Sequence, residues 1–360
     1  MSALPPRFPP SRSQPPDLDP YRVRVSDPGE IAAAVPQLLG FRPRESVVLI
    51  GLGGVRGNQV GLTVRGDLPP PGSGPALARA LSRSVGTGDP EAVVVVLVSE
   101  APDDRDGPAG GPDLPHRGLL RDLTIALALD GIAVRTSLLV RGGRWWSYEC
   151  PEPCCRPGAG TALPSGVTAL EAASVASGVV VEDGREALER RLAPDPDRGG
   201  TAEACRRVAD DLGRSSGADD GWAAIREGVR RCAPEAAHPV ERLPDELVAR
   251  VVWSLRYEPT IRDRALVLAL GDEASAAEAL WTECTRRAPQ PLDAAPATLV
   301  AVSAWLRGDG AMANVALERA LCSDPGNRLA RLLAPALDAC LHPTELRRLI
   351  AESAGAGPDR

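Results

Sequence analysis

The N-terminal half of the chain alternates apolar runs with segments of helical periodicity. Asp27 is predicted to cap a helix at 28–39, because Pro28 suits the first helical position and Gly40 follows the last. Continuous apolar runs at 46–52 and 91–98 are typical of buried strands. The same reasoning predicts helices at 76–85 and 119–129 and strands at 59–64, 132–140 and 145–148. The pattern predicts an α/β fold: a mixed sheet flanked by helices.

From residue 169 onward the period is helical almost throughout, so an all-helical C-terminal half is predicted. The chain is longer than a single hydrophobic core usually supports, so more than one domain is predicted. The change of hydrophobic period and the composition predict five segments. They are a disordered Pro-rich tail at 1–20, an α/β domain at 21–165, a helical connector at 166–240, a helical domain at 241–352 and a disordered tail at 353–360.

One pair of predicted helices carries small residues at a recognisable spacing. Gly308-Asp309, Ala313, Ala320 and Asp324-Pro325 resemble the second half of a tetratricopeptide repeat. Small residues let two antiparallel helices approach closely, and hairpins of this kind usually stack and present a face to a partner. An Ala-rich helical bundle that mimics the spacing remains the alternative.

Composition removes several classes of function. The 41 basic residues are all Arg, so a Walker A loop and a Schiff-base mechanism, which both need Lys, are excluded. A net charge of -7 argues against binding to nucleic acid or to an anionic membrane. No secretion signal or membrane-spanning run is found, so a cytoplasmic location with eight reduced Cys is predicted.

The segment from Trp145 to Cys155 is the least random part of the sequence. Three of the chain's 11 aromatic residues, Trp145, Trp146 and Tyr148, occupy four positions, and on a strand Trp146 and Tyr148 share one face. Cys150, Cys154 and Cys155 follow. Clustering of this kind indicates either a structural role or a functional site.

Three interpretations of these Cys compete. They are buried as small hydrophobic residues in a structural loop, they bind a metal such as Zn through three thiolates, or one thiol serves redox or nucleophilic chemistry. A metal would need a fourth ligand such as His116, Glu152 or a distant Cys, and the side chains of adjacent Cys154 and Cys155 are expected to diverge.

Polar residues near the predicted strand ends supply a possible ligand pocket. The residues predicted to line it are Asp67, His116, Trp146 and Tyr148. The acidic loop from Ser99 to Asp106 follows a predicted central strand, at the sheet edge where α/β proteins bind ligands. A solvated acidic loop is the simpler interpretation.

Several of these segments together resemble a known family. They are residues 34–43, 46–49, 67–69, 144–148, the three Cys, 308–310 and Asp324-Pro325. They resemble an uncharacterised actinobacterial family that is catalogued as a domain of unknown function, over roughly residues 21–349. The resemblance implies the domain extent and a bacterial cytoplasmic setting, and it implies no activity.

The leading hypothesis from the sequence is a non-catalytic cytoplasmic protein that binds a protein partner through its helical half. The alternative is an enzyme or a metal- or ligand-binding protein with its site at Trp145–Cys155. The sequence leaves open whether the chain is an enzyme, and its oligomeric state.

Overall fold

The chain begins with a sheet-containing part and continues with a helical part. A computed structural model of the chain describes residues 27–54, 59–70, 72–105, 111–164, 181–212, 218–233 and 242–355. The predicted tail at 1–20 and the start of the predicted helical half at 169–180 lie outside these residues. Within them the predicted fold class is confirmed, because a mixed sheet with flanking helices precedes a helical half.

The strands and helices of the α/β part follow the apolar runs closely. Asp27 caps the first helix as predicted, because its Oδ1 accepts a hydrogen bond of 2.6 Å from the amide of Gly29. The elements are α1 (Pro28–Leu39), β1 (Ser46–Gly53), β2 (Gln59–Asp67), α2 (Gly74–Gly86), β3 (Ala92–Val98), α3 (Arg117–Leu129), β4 (Ala133–Arg141), β5 (Arg144–Ser147) and β6 (Thr161–Ala162).

The strand order is β2-β1-β3-β4-β5-β6. Strands β3 and β4 pair in parallel and α3 connects them, whereas the other neighbours are antiparallel. The sheet is therefore mixed. The carboxyl ends of β3 and β4 meet at one edge, next to the tight turn between β4 and β5.

The two faces of the sheet are covered by different helices. Val48, Ile50 and Leu138 pack on one face with residues of α1, and Val47, Leu49 and Leu97 pack on the other with residues of α2 and α3. Burial on both faces explains why β1 and β3 are continuous apolar runs rather than alternating ones.

The C-terminal half is helical and has its own core. Its helices are α4 (Arg185–Arg191), α5 (Gly199–Leu212), α6 (Ala218–Cys232), α7 (Asp245–Tyr257), α8 (Pro259–Val267), α9 (Ala274–Arg287), α10 (Ala294–Leu306), α11 (Gly310–Ser323), α12 (Arg328–Asp338) and α13 (Pro343–Gly355). Among the helices that the structure describes, none is both long and apolar enough to cross a membrane.

Helices α10 and α11 form the predicted hairpin, and Ala313 and Ala320 are fully buried where the helices meet. The hairpin is thus a real element of the fold. All 13 residues of α10 are buried, because α7, α8, α9, α11 and α13 pack around it.

Two described elements differ from the sequence-based expectation. The short strand β6 falls in a segment predicted as loop, because tertiary contacts with β5 rather than its own residues fix it. Helix α13 was not predicted as a separate element. It extends to Gly355, so the predicted disordered tail at 353–360 is helical in its first residues.

A buried arginine ties three helices of the C-terminal half together. Arg287 of α9 is 1% exposed and donates hydrogen bonds to the carbonyl of Leu243 at 2.8 Å and to Glu283 at 2.9 Å. It also pairs with Asp245, which accepts a hydrogen bond from Thr201 of α5. Hydrogen-bonded carboxylates offset the cost of burying this guanidinium.

Replacement of Arg287 by Ala is expected to destabilise the protein by about 3 kcal/mol, because the partly buried carboxylates lose their counter-charge. Urea unfolding followed by far-UV circular dichroism measures the loss. The control is Arg348→Ala, whose side chain pairs with Glu345 and Glu352 on the exposed face of α13. We expect no measurable change there, and equal midpoints for the two variants would contradict the role of Arg287.

Candidate metal centre

The aromatic residues of β5 alternate between the two faces of the sheet. Trp146 and Tyr148 belong to the core under α2 and α3, whereas Trp145 packs on the α1 side. This alternation is the one predicted from the sequence. The indole of Trp145 lies so close to Gly29 that a Cβ there would be 2.8 Å from its Nε1.

The Cys-rich loop that follows β5 is held to the sheet by four contacts. The indole Nε1 of Trp146 donates to the carbonyl of Arg156 at 3.3 Å, and the Arg144 guanidinium donates to the carbonyls of Ala159 and Gly160 at 3.0 and 2.6 Å. The amide of Gly158 donates to Asp103 Oδ2 at 2.7 Å. None of these four contacts involves a thiol, so residues 156–160 are held independently of what the thiols bind.

Asp103 has a second role, which sequence reasoning did not identify. Its other carboxylate oxygen accepts a hydrogen bond of 2.8 Å from Arg141, whose guanidinium lies 4.8 Å from the ring centroid of Trp146. The acidic loop after β3 is therefore partly structural: one of its carboxylates joins β4 to the Cys-rich loop. Asp103 and Arg141 are far apart in the sequence, so no local pattern of residues predicts their ion pair.

The sulfur atoms of Cys150, Cys154 and Cys155 all lie within 4.8 Å of one another. The expectation that the adjacent Cys side chains diverge is wrong, because Pro153–Cys155 forms a turn of 3-10 helix and places Cys154 Sγ 3.9 Å from Cys155 Sγ. The amide of Ser147 donates to Cys155 Sγ at 3.3 Å. Amide donors of this kind stabilise negative charge on sulfur.

The environment keeps Cys155 protonated in the absence of a cation. Burial raises the pKa of this thiol to about 11, the Ser147 amide opposes the rise, and the adjacent Cys150 and Cys154 add to it. A bound cation reverses this balance, because thiols deprotonate when they ligate a metal. Cys154, by contrast, is exposed to solvent.

The structure brings Tyr148 and the start of α3 together. The Tyr148 hydroxyl donates to the carbonyl of Pro115 at 2.6 Å, and the guanidinium of Arg117 lies 5.4 Å from the Tyr148 ring centroid. Burial raises the pKa of Tyr148 well above its usual value. The phenol is thus a neutral structural group that fixes α3 against β5.

His116 belongs to a small polar network beside this contact. Its Nε2 is 2.9 Å from Ser99 Oγ, and that hydroxyl donates to Glu45 at 2.8 Å. Burial lowers the pKa of His116, against the opposing effect of Glu45 and Asp104, so the imidazole is neutral at pH 7. Serine stands between the imidazole and the carboxylate, which is not the order of a catalytic triad.

Asp67 does not join the other predicted pocket residues. It is the last residue of edge strand β2, it is exposed, and it pairs with Arg65. Strands β1, β3 and β4 separate it from β5, which puts it roughly 19 Å away at the usual strand spacing. A cavity of about 220 Å³ lies elsewhere again, beneath the β1–β2 hairpin next to Val85 and Pro90.

These features define a protein with a mixed α/β sheet, a thiol-rich loop after β5 and a helical C-terminal half. Residues 28–344 match the family described as a domain of unknown function, DUF4192, and the chain belongs to this family. No curated protein and no solved structure matches the chain. The family establishes no activity, and the actinobacterial origin stays a prediction.

Alkylation is expected to distinguish the thiols in metal-free protein. Exposed Cys154 reacts readily with iodoacetamide at pH 7, whereas Cys155 reacts slowly because its pKa is raised to about 11. Since a protonated thiol becomes thiolate as the pH rises towards its pKa, Cys155 labelling accelerates between pH 7 and 10. Peptide mapping by mass spectrometry measures both rates, and equal rates at pH 7 would contradict this assignment.

Gly160 is expected to be essential for the loop conformation. Both Gly158 and Gly160 have a φ of 76°. A Cβ at Gly160 would overlap the indole of Trp146, whereas nothing lies within 4 Å of a Cβ at Gly158. Gly158→Ala therefore introduces backbone strain of about 1 kcal/mol, and Gly160→Ala adds overpacking of about 1–3 kcal/mol.

Urea unfolding followed by tryptophan fluorescence, with thiol titration of the folded state, compares these two variants. We expect the lower midpoint and the faster-reacting Cys155 in Gly160→Ala. Indistinguishable variants would show that contact with Trp146 does not fix the loop.

Proposed function

We propose that this protein binds a zinc ion through Cys150, Cys154 and Cys155, and that the bound metal fixes the surface of the Cys-rich loop. The observation that carries the proposal is the convergence of three sulfur atoms within 4.8 Å on a loop held by other contacts. The function is therefore metal binding, and the alternative hypothesis from the sequence becomes the preferred one.

The spacing of the thiols supports tetrahedral coordination. Tetrahedral ligands at a zinc–sulfur distance of about 2.3 Å lie about 3.8 Å apart. Cys154 Sγ and Cys155 Sγ are 3.9 Å apart. The other two pairs of sulfur atoms lie within 4.8 Å, so all three separations are close to the tetrahedral value.

The donor type favours zinc. Soft thiolates select zinc and other sulfur-binding metals over magnesium and calcium, which prefer oxygen. The amide of Ser147 bonded to Cys155 supplies the outer hydrogen bond that orients a metal ligand. Three thiolates also neutralise more of the metal charge than imidazoles do, so the set favours a structural or ligand-exchanging role over activation of water.

A cytoplasmic location accords with this proposal. Zinc–thiolate sites need reduced Cys, and the reducing cytoplasm maintains them. All eight Cys of the chain are free thiols in the structure. A cytoplasmic setting is therefore part of the proposal.

The partner-binding hypothesis has less support. In tetratricopeptide arrays the hairpins stack to form an extended concave surface for partners, yet α10, the first helix of the repeat-like hairpin, is buried along its whole length. Exposed apolar side chains of this half, such as Tyr257 and Leu332, lie on α7 and α12 instead. A protein partner for the helical half stays a prediction.

Elemental mass spectrometry on untagged protein tests the proposal. We expect about one zinc per chain, and its loss in Cys154→Ser, which removes an exposed side chain and is not expected to affect folding. The control is Cys322→Ser, another exposed thiol, on α11, which retains the metal. Cobalt substitution gives a second readout, because tetrahedral thiolate coordination produces characteristic visible bands.

Two results would overturn the proposal. One is protein that remains free of metal after equilibration with micromolar zinc. The other is metal bound equally by Cys154→Ser and Cys322→Ser, which would place the metal away from the loop.

A further inference from the structure

We propose that the fourth ligand of this metal is a thiolate from another molecule, so that the protein is a receptor for thiols. This inference rests on the proposed zinc site. Three thiols supply three of the four positions that zinc takes in thiolate-rich sites. The fourth position then determines what the centre binds.

No other side chain among the described residues completes the cluster. A His, Cys, Asp or Glu within reach would form a group of four with the three thiols, and the described part of the chain contains only the group of three. Glu149 and Glu152 are the acidic residues nearest to the thiols in sequence, and neither carboxylate belongs to the group. The Glu149 carboxylate instead accepts hydrogen bonds from the Ser137 amide at 3.1 Å and from the Ser147 hydroxyl at 3.0 Å.

The remaining Cys and His residues have other positions. Three Cys pack in the helical core, one packs against the core under α2 and α3, and one is exposed on α11; the two described His bond to Ser99 and to Thr344. These are Cys205, Cys232, Cys284, Cys340, Cys322, His116 and His342. Outside the described residues the sequence contains one more candidate of these two types, His238.

The cluster is accessible from solvent on one side. Cys155 is buried against β5, whereas Cys154 and its neighbours Glu152, Pro153 and Arg156 are exposed. The sheet therefore covers the inner side of the metal position, and an incoming ligand reaches the outer side without displacing any core residue. The contacts that hold the loop to Trp146 and Asp103 use Arg156 and Gly158 rather than the thiols, so an incoming ligand does not compete with them.

The chemistry of the set favours sulfur as the incoming atom. Zinc sites with three Cys are completed by a fourth Cys or by His, and they are closed sites, unlike the His-rich sites that keep a water. A soft, thiolate-rich centre prefers a further soft donor. Ligation deprotonates the incoming thiol: its sulfur forms the bond to zinc, the proton passes to solvent, and no oxidant is needed.

Two sources supply the same thiolate chemistry. One is a small thiol, and the other is a Cys on a second protein chain. Both place one sulfur on the metal. They differ in whether the complex contains one protein chain or two.

Titration of the cobalt-loaded full-length protein with 2-mercaptoethanol tests the inference. We expect the thiolate-to-cobalt absorbance to rise about 1.3-fold, from three thiolates to four, and to saturate at one thiol per metal. Ethylene glycol, which has oxygen in place of sulfur, is the matched control and leaves the spectrum unchanged. His238→Ala is expected to behave like the unaltered protein.

Sedimentation at several protein concentrations separates the two sources. Monomeric protein that takes up 2-mercaptoethanol supports a small thiol. A dimer that contains cobalt, and that dissociates on addition of 2-mercaptoethanol, supports a thiolate from a second protein chain.

Three results would overturn the inference. They are cobalt bands that 2-mercaptoethanol does not alter in monomeric protein, bands that imidazole alters and the thiol does not, and bands that change in His238→Ala. In each of these the cobalt is bound, so the proposed metal site survives. Absence of any cobalt band would instead contradict the metal site itself.

Discussion

The contact between the indole of Trp146 and the loop that follows it determines the position of the three thiols. The ring lies in the core under α2 and α3, with Arg141 at 4.8 Å from its centroid, and its Nε1 reaches the carbonyl of Arg156. Gly160 contacts the same ring and leaves no room for a side chain. A buried, hydrogen-bonded aromatic residue has little freedom, so the loop inherits the rigidity of the sheet. Preorganisation of this kind lowers the entropic cost of ordering the loop when a metal binds.

The contacts around Asp103 extend this rigidity beyond the loop. Asp103 joins Arg141 at the end of β4 to Gly158 in the loop, and it belongs to the segment that follows β3. The same segment begins at Ser99, the centre of the Glu45–His116 network. The thiol loop and the carboxyl ends of the parallel strands are therefore parts of one hydrogen-bonded structure.

The sequence predicted the fold well because local signals determine most of it. The apolar runs of β1 and β3, the Asp27 cap and the glycines after helices are all readable from neighbouring residues. The alternation of Trp145 and Trp146 follows from the pleat of a strand alone.

The site was predictable only in part. Its residue types were identified, but the convergence of Cys154 and Cys155 depends on the turn at Pro153, and the position of Asp67 depends on strand order. Strand β6 and the role of Asp103 arise from contacts between residues distant in the chain. Helix α13 had a usable signal, since Pro343 begins it and Leu346 and Ile350 recur at helical spacing on its buried side.

The complete burial of α10 has a consequence for how this family can vary. Repeat arrays lengthen by duplication because the last hairpin always leaves a face on which another can stack. Here α13 and the helices before α10 already occupy every side of it. An additional hairpin inserted beside α10 would have to displace packed helices, so this hairpin has no open face on which another could stack. Evolution of new properties is thereby directed to exposed loops, among them the one that carries the thiols.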